Sequence, residues 1–216
     1  MEKKTKNLLV LVYFFYLFSI WGIYRYLSNL SEPWDELIFK PILWLLPIFL
    51  IVKRIEKKQL KSLGIVFLKF WKNILIGLGI SIFILFEYLL SLVIKGKPIS
   101  FNPLNLGLIA FLIYSLSAFF TAVSEEIVFR GFLMTRINKV INSKLGSNII
   151  VGILFFVIHL PILIFDQSQT FLGLGKHLSL AIGLGLIDGY VFWKTKGIIA
   201  PIVAHASLNI FSLLIG

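Results

Sequence analysis

The amino-acid sequence predicts an all-α protein, a polytopic bundle of about seven transmembrane helices with a range of six to eight. Hydrophobic residues make up 58% of the 216 residues, charged residues only 14%, and the mean hydropathy is +0.94. A soluble domain usually carries about 25% charged residues, and it could not bury this much apolar surface. The composition therefore excludes a soluble enzyme, a disordered chain and a collagen-like fibre.

Seven apolar runs approach the roughly 20 residues that a helix needs to cross a membrane. The second run is weak because it is short and contains Pro41 and Pro47, which fits a tilted or re-entrant segment. The sixth is rich in glycine (Gly183, Gly185 and Gly189), which favours close packing of helices in lipid. The predicted spans are Leu8–Tyr24, Leu37–Val52, Ile74–Ile94, Leu106–Met134, Ser147–Phe165, His177–Trp193 and Ile198–Ile215.

The Lys and Arg residues are distributed unevenly between these runs. With a cytoplasmic N-terminus, 16 of the 21 basic residues fall on the cytoplasmic side, as the positive-inside rule expects. The net charge of +11 is thereby explained by topology, and no nucleic-acid partner is expected. A composition rich in lysine and isoleucine further indicates a bacterial plasma membrane. The five basic residues placed outside are Arg25, Lys40, Lys95, Lys97 and Lys176.

Two regions are distinguished along the chain. Residues 1–105 are predicted to form N-terminal membrane helices and a basic cytoplasmic loop, and they contain no motif. The loop from Lys53 to Lys61 is interpreted as a solvated linker near anionic lipid head groups. Residues 106–216 are predicted to form a catalytic helical core, because ionisable residues inside membrane helices are costly and mark candidate sites. Cysteine is absent, which excludes disulfides and thiolate chemistry.

The first cluster of such residues is Glu125, Glu126 and Arg130 in the fourth span. Glu126 and Arg130 are four residues apart with the glutamate first, which favours an ion pair on one helix face. Glu125 points about 100° away and is left without a partner on its own helix. A purely structural role for two adjacent glutamates is the less favoured interpretation.

Three further polar residues lie in the fifth and seventh spans. His159 is followed by Pro161, which removes a backbone donor and loosens the helix. His205 and Asn209 are four residues apart and share a face. At 1.5 Å per residue, Glu125, His205 and His159 lie about 15, 12 and 18 Å from the cytoplasmic helix ends. The similar depths predict one site shared by the fourth, fifth and seventh helices.

The chemistry of this set points to amide hydrolysis. Glu125 can act as general base on a water that His159 holds or shares a proton with, while His205 and Asn209 donate to a developing oxyanion. A zinc site formed by Glu125, His159 and His205 is the alternative mechanism, although no His-Glu-x-x-His pattern occurs. Two other functions remain open: a proton-coupled transporter, and an immunity protein that sequesters a peptide without catalysis.

The motifs Glu125-Glu126-x-x-x-Arg130, Phe155-x-x-x-His159 and His205-x-x-x-Asn209 together resemble the CAAX prenyl endopeptidase family, also called the Abi or CPBP family. The resemblance covers roughly Leu106 to Ile215. It implies an intramembrane peptidase in which Glu125 and His159 activate water and His205 and Asn209 form the oxyanion hole. Glu126 and Arg130 would support the site. The resemblance is compatible with a metal-dependent or a glutamate-dependent protease, and the residues favour the second, which requires no cofactor, with zinc as the alternative.

The resemblance also implies a hydrophobic, prenylated or pheromone-like peptide as substrate, met within the lipid bilayer. Two acidic residues remain outside the motifs. Asp188 in the sixth span is interpreted as a helix contact, with the orientation of His159 or His205 as the alternative. Glu87 stands alone in the third span.

Overall fold

The structure, a computed structural model, describes residues 3–28, 30, 32–99, 107–161 and 171–214. Side chains are described from residue 8 in the first helix, 33 in the second and 182 in the sixth. The described residues are 86% helical, contain no strand, and form seven helices. Their bounds are α1 Lys3–Leu27, α2 residues 32–55, α3 Phe70–Ile94, α4 Leu108–Ile141, α5 Lys144–Val157, α6 Phe171–Thr195 and α7 Ile199–Leu214.

The predicted all-α membrane bundle is confirmed, with one helix at the place of each predicted span. Within the described residues, Leu8–Leu27, α3 and α4 are long and apolar enough to cross a membrane. The helices α5 and α7 are apolar but shorter. The crossing of the bilayer by all seven helices stays a prediction. The predicted span ends at Leu106, Phe165 and Ile215 lie outside the described residues.

Much of α2 is wound in wide π-helical turns, over Asp35–Phe39, Pro41–Leu45 and Ile51–Ile55. Pro41 and Pro47 supply no backbone N–H, so the regular hydrogen-bond ladder is interrupted along this segment. One side of α2 nevertheless faces the protein interior. The buried residues on it recur every four positions: Lys40, Trp44, Ile48 and Val52.

The centre of the bundle is the second half of α4. The segment Ile127–Met134 is also π-helical, and all eight of its residues are buried. Its aromatic rings connect three other helices: Phe132 contacts Tyr13 of α1, and Phe129 contacts Trp44 of α2 and Phe155 of α5. The two glutamates of the first motif immediately precede this packed segment.

Small residues allow α7 and α6 to approach their neighbours closely. A side chain at Gly77 of α3 would meet the Ala200 carbonyl of α7, and the Ser81 hydroxyl donates to the Ala204 carbonyl at 3.1 Å. On the other side of the bundle, Gly189 of α6 packs against Asn148 of α5. The helices that carry the site are thereby held at short distances.

The segment between α2 and α3 is attached to the bundle at a few points, while most of its basic residues are exposed. The interpretation of residues 53–61 as a solvated linker stays a prediction. Glu56 is held by Arg136 at the end of α4, with Nη2 and Oε2 separated by 2.6 Å. A 3-10 turn, Leu60–Leu63, follows and ends at Gly64, whose φ of 74° suits glycine. The Gly64 carbonyl then accepts from the Ile198 amide ahead of α7.

Candidate active site

The two glutamates lie where α4 changes from regular to wide turns, and both side chains are buried. Glu126 and Arg130 form the ion pair that their spacing predicted, with Oε1 and Nη1 separated by 2.8 Å. Glu125 points elsewhere, toward α2 and α7. The pair of adjacent carboxylates therefore faces two different sets of partners, as expected for residues about 100° apart on a helix.

Arg130 connects α4 with α5 and α6. Its Nη2 donates to the Gly185 carbonyl at 3.0 Å and lies 3.7 Å from Oδ2 of Asp188. The guanidinium also stacks over the Phe155 ring, 4.9 Å from its centroid. The sequence analysis interpreted Asp188 as a helix contact. In the structure its carboxylate faces the Arg130 guanidinium and so links α6 to α4.

His205 of α7 lies between the two glutamates. Its Nδ1 is 3.0 Å from Oε1 of Glu126, and its Nε2 is 3.6 Å from Oε2 of Glu125. A carboxylate only accepts hydrogen bonds, so Nδ1 carries the hydrogen toward Glu126. The separation on the Glu125 side is too long for a direct hydrogen bond, so the two groups interact only as an ion pair when His205 is protonated.

His159 follows the end of α5 at Val157, in the turn before Pro161. Its Nδ1 donates to the Phe155 carbonyl at 2.6 Å, because a carbonyl oxygen can only accept. In the neutral ring, Nε2 is therefore left as an acceptor for a further group. His159 is near enough to Glu125 to interact with it electrostatically, and both histidine rings contact the Phe155 ring.

Asn209 lies one turn after His205 on α7 and is half-buried. Its side-chain amide makes no hydrogen bond with any residue that the structure describes. The amide is thus an available donor next to the histidine. The structure brings Glu125, Glu126, Arg130 and His205 into direct contact and places His159 and Asn209 at the margin of this group.

The structure adds one residue that the sequence analysis misplaced. Lys40 was counted among the basic residues outside the membrane, but it is buried in the bundle with 3% exposure. Its Nζ lies 2.6 Å from Oε1 of Glu125 and 2.8 Å from Oε2 of Glu36. The available signal was the Glu36–Lys40 spacing of four inside an apolar run, which is the spacing of a helical ion pair.

A metal ion does not fit the predicted donor set well. Hydrogen bonding is not the obstacle, because Oε2 of Glu125 and Nε2 of each histidine are not used by the contacts above. The obstacle is spacing, since Glu125, His159 and His205 do not bring three ligand atoms within 4.8 Å of one another in the described part of the chain. Among the described residues, the group with ligand atoms within 4.8 Å of one another is Glu126, Asp188 and His205. Arg130 contacts two of these three, so a cation bound there would face a guanidinium at short range.

The second half of the chain matches a family of known proteins. Residues 106–211 match the model of the family described as Rce1-like, type II CAAX prenyl endopeptidase Rce1-like. Comparisons with curated proteins and with solved structures gave no match. The matched range includes every residue of the three sequence motifs, and it does not include α2 with Lys40.

Proposed function

We propose, on the match of residues 106–211 to the type II CAAX prenyl endopeptidase Rce1-like family, that the chain cleaves a hydrophobic or prenylated peptide at a site formed by Glu125, His159, His205 and Asn209. The family supports an intramembrane endopeptidase in general. The residue roles are proposals supported by the geometry. The observation that carries them is the placement of Oε2 of Glu125 and Nε2 of His205 at 3.6 Å, too far for a direct hydrogen bond, so that both atoms can bind one water lying to their side.

The proposed reaction starts with this water. Oε2 of Glu125 accepts one of its protons, His159 orients it through Nε2, and its oxygen attacks the carbonyl carbon of the peptide bond. The oxyanion accepts hydrogen bonds from the Asn209 amide and from Nε2 of His205. When the C–N bond breaks, the proton on Glu125 passes to the leaving amine. Because Nδ1 of His205 already donates to Glu126, donation from Nε2 requires the imidazolium form.

Glu126 and Arg130 have a supporting role in this proposal. Oε1 of Glu126 accepts from both Arg130 and His205, so it fixes the imidazole ring relative to α4. The proposed reaction contains no metal step. A zinc-dependent reaction is the alternative, and cleavage in the presence of a chelator distinguishes the two.

We also propose that the N-terminus is cytoplasmic, as the distribution of basic residues indicates. The protein contains no cysteine, so single cysteines introduced at Lys4 and at Lys97 can be labelled without background. Lys4→Cys should be protected from an impermeant reagent in intact cells, and Lys97→Cys should be labelled. The reverse pattern would invert the orientation.

The decisive experiment is cleavage of farnesylated and unmodified hydrophobic peptides by the purified protein. We expect Glu125→Gln to lower kcat by about 100- to 10,000-fold, the usual contribution of a general base. Glu87→Gln, the same change at an exposed carboxylate of α3, should leave kcat unchanged. Activity should persist with a chelator present, whereas its loss and restoration by zinc would favour the metal mechanism.

Three results would contradict the proposal. Equal cleavage by the wild type and Glu125→Gln would remove Glu125 from the mechanism. Peptide binding without cleavage by either protein would favour the sequestering protein, and proton-driven uptake in liposomes would favour the transporter.

A further inference from the structure

Lys40 of α2 is a buried cation that contacts carboxylates on two different helices. Its ammonium lies between the carboxylates of Glu36 and Glu125. The rings of Trp44 and Trp21 lie 4.9 and 5.6 Å from Nζ on its apolar side. Burying an ammonium in a membrane protein is costly, so a lysine retained at such a place is a functional candidate.

The contact with Glu125 distinguishes the two oxygens of that carboxylate. Oε1 is occupied by Nζ of Lys40 at 2.6 Å, and Oε2 is directed at Nε2 of His205 at 3.6 Å. A carboxylate with one oxygen held by a charged donor loses its freedom to rotate. The oxygen left over is the one beside the proposed water.

Lys40 is itself held in place from α4. Oε2 of Glu36 accepts from Lys40 and also from the Thr121 hydroxyl at 2.6 Å. Thr121 lies one turn before Glu125 on α4, so the four side chains form a closed connection between the two helices. We call Glu36, Lys40, Thr121 and Glu125 the α2–α4 clamp. The ion pair with Glu36 is sufficient to neutralise the charge of Lys40. The second ion pair, with Glu125, therefore calls for a separate explanation.

We infer that Lys40 is a positioning residue for the reaction: it holds Oε1 of Glu125 so that Oε2 faces the water-binding gap beside His205. This inference rests on the proposed function, because it assigns Lys40 a role through Glu125. It extends the site beyond residues 106–211 to α2, a helix for which the sequence offered no motif. Lys40 does not touch the substrate in this arrangement, so substrate affinity is independent of it.

The test compares four variants in the peptide-cleavage assay. We expect Lys40→Met to lower kcat about 100-fold with KM changed less than threefold, the size expected for a reacting group displaced by about 1 Å. Lys40→Arg, which keeps the positive charge, should recover at least tenfold of that loss. Glu36→Gln weakens the hold on Lys40 but keeps an amide oxygen as acceptor, so its loss of kcat should be clearly smaller than that of Lys40→Met.

Lys40→Met alone leaves two buried carboxylates without their cation and can fail to fold for that reason. The double variant Lys40→Met/Glu36→Gln removes one positive and one negative charge together, so it serves as the folded reference, monitored by its thermal midpoint in detergent. We expect the double variant to have a kcat as low as that of Lys40→Met and a thermal midpoint close to that of Glu36→Gln.

The outcomes distinguish a failure of the positioning role of Lys40 from a failure of the proposed peptidase function. A wild-type kcat in the double variant, or a loss that appears in KM instead of kcat, overturns the positioning role and leaves the proposed function standing. Equal losses in Lys40→Arg and Lys40→Met overturn it as well, since a retained charge would then give no rescue. If the wild-type protein cleaves no peptide, the proposed function fails, and the role of Lys40 fails with it.

Discussion

At the scale of single residues, His205 has the most informative contacts, because each ring nitrogen faces a different glutamate. The nitrogen toward Glu126 is fixed by a direct hydrogen bond, and the nitrogen toward Glu125 stands across a gap. Asn209 follows on the same helix with an amide that the described residues leave unused. The division separates a supporting side of the site from the side on which the catalytic water is proposed to bind.

Asn209→Ala should therefore affect catalysis more than stability. We expect kcat to fall about 100-fold, the usual effect of removing one oxyanion donor, with the thermal midpoint within about 1 °C of wild type. Ser212→Ala is the matched control, since Ser212 is exposed and donates only to the Asn209 carbonyl. A midpoint lowered in proportion to the loss of activity would instead make Asn209 a structural residue.

The sequence predicts a contact in the site when the two residues are close together along the chain, and it fails when they are far apart. The Glu126–Arg130 pair follows from helical periodicity, so a spacing of four was enough to predict it. Lys40 and Glu125 are 85 residues apart, and their pairing depends on which faces of α2 and α4 meet. Positive-inside counting placed Lys40 outside, because that rule reads charge along the chain and contains no information on burial.

At the scale of helices, the period and number of apolar runs were sufficient to predict seven helices, but not how they are wound. The wide turns of α2 and α4 depend on hydrogen bonds and packing that no periodicity specifies. The glycines of α6 were predicted to allow close packing of helices. In the structure this holds for Gly189 but not for Gly183. A side chain at Gly189 would overlap Asn148 of α5, whereas Gly183 has no neighbour within 4 Å.

This difference predicts opposite results for the same substitution. In Gly189→Ala the new Cβ would lie 1.8 Å from Oδ1 of Asn148, so Asn148 must turn away and lose its bond to the Leu186 carbonyl. We expect a loss of about 2 kcal/mol, or roughly 5 °C in the thermal midpoint. Gly183→Ala should be neutral or slightly stabilising. Equal midpoints for the two variants would mean that α5 and α6 are packed differently.

At the scale of the whole molecule, the two regions distinguished in the sequence form one packed structure. Lys40 joins them within the bundle, and Arg136 joins them at its edge. Arg136 lies near the end of α4 and donates to Glu56 and to the Ser62 carbonyl in the α2–α3 segment. Leu63 of that segment also brings its carbonyl close to Gly131, where a Cβ would lie 2.6 Å away.

The Glu56–Arg136 contact makes the attachment of the α2–α3 segment dependent on pH. Burial raises the pKa of Glu56, but the hydrogen bonds from Arg136 and Lys58 outweigh it, so the pKa falls below its ordinary value of 4.5. A carboxyl with a pKa lowered by folding stabilises the folded state above its unfolded pKa, and this contribution is lost as the pH falls through the folded pKa. The segment should therefore loosen only in acid.

We expect Glu56→Gln to lower the thermal midpoint in detergent at pH 7, by roughly 5 °C for an uncompensated buried arginine. The difference from wild type should begin to shrink as the pH falls below about 4.5 and vanish once the pH passes through the lower folded pKa of Glu56, where the wild-type carboxyl is neutral as well. Lys58→Met is the matched control: Lys58 is part-exposed, so its loss should have a small effect at either pH. A difference that stayed constant from pH 7 to a pH well below the folded pKa of Glu56 would mean that Glu56 acts through packing rather than charge.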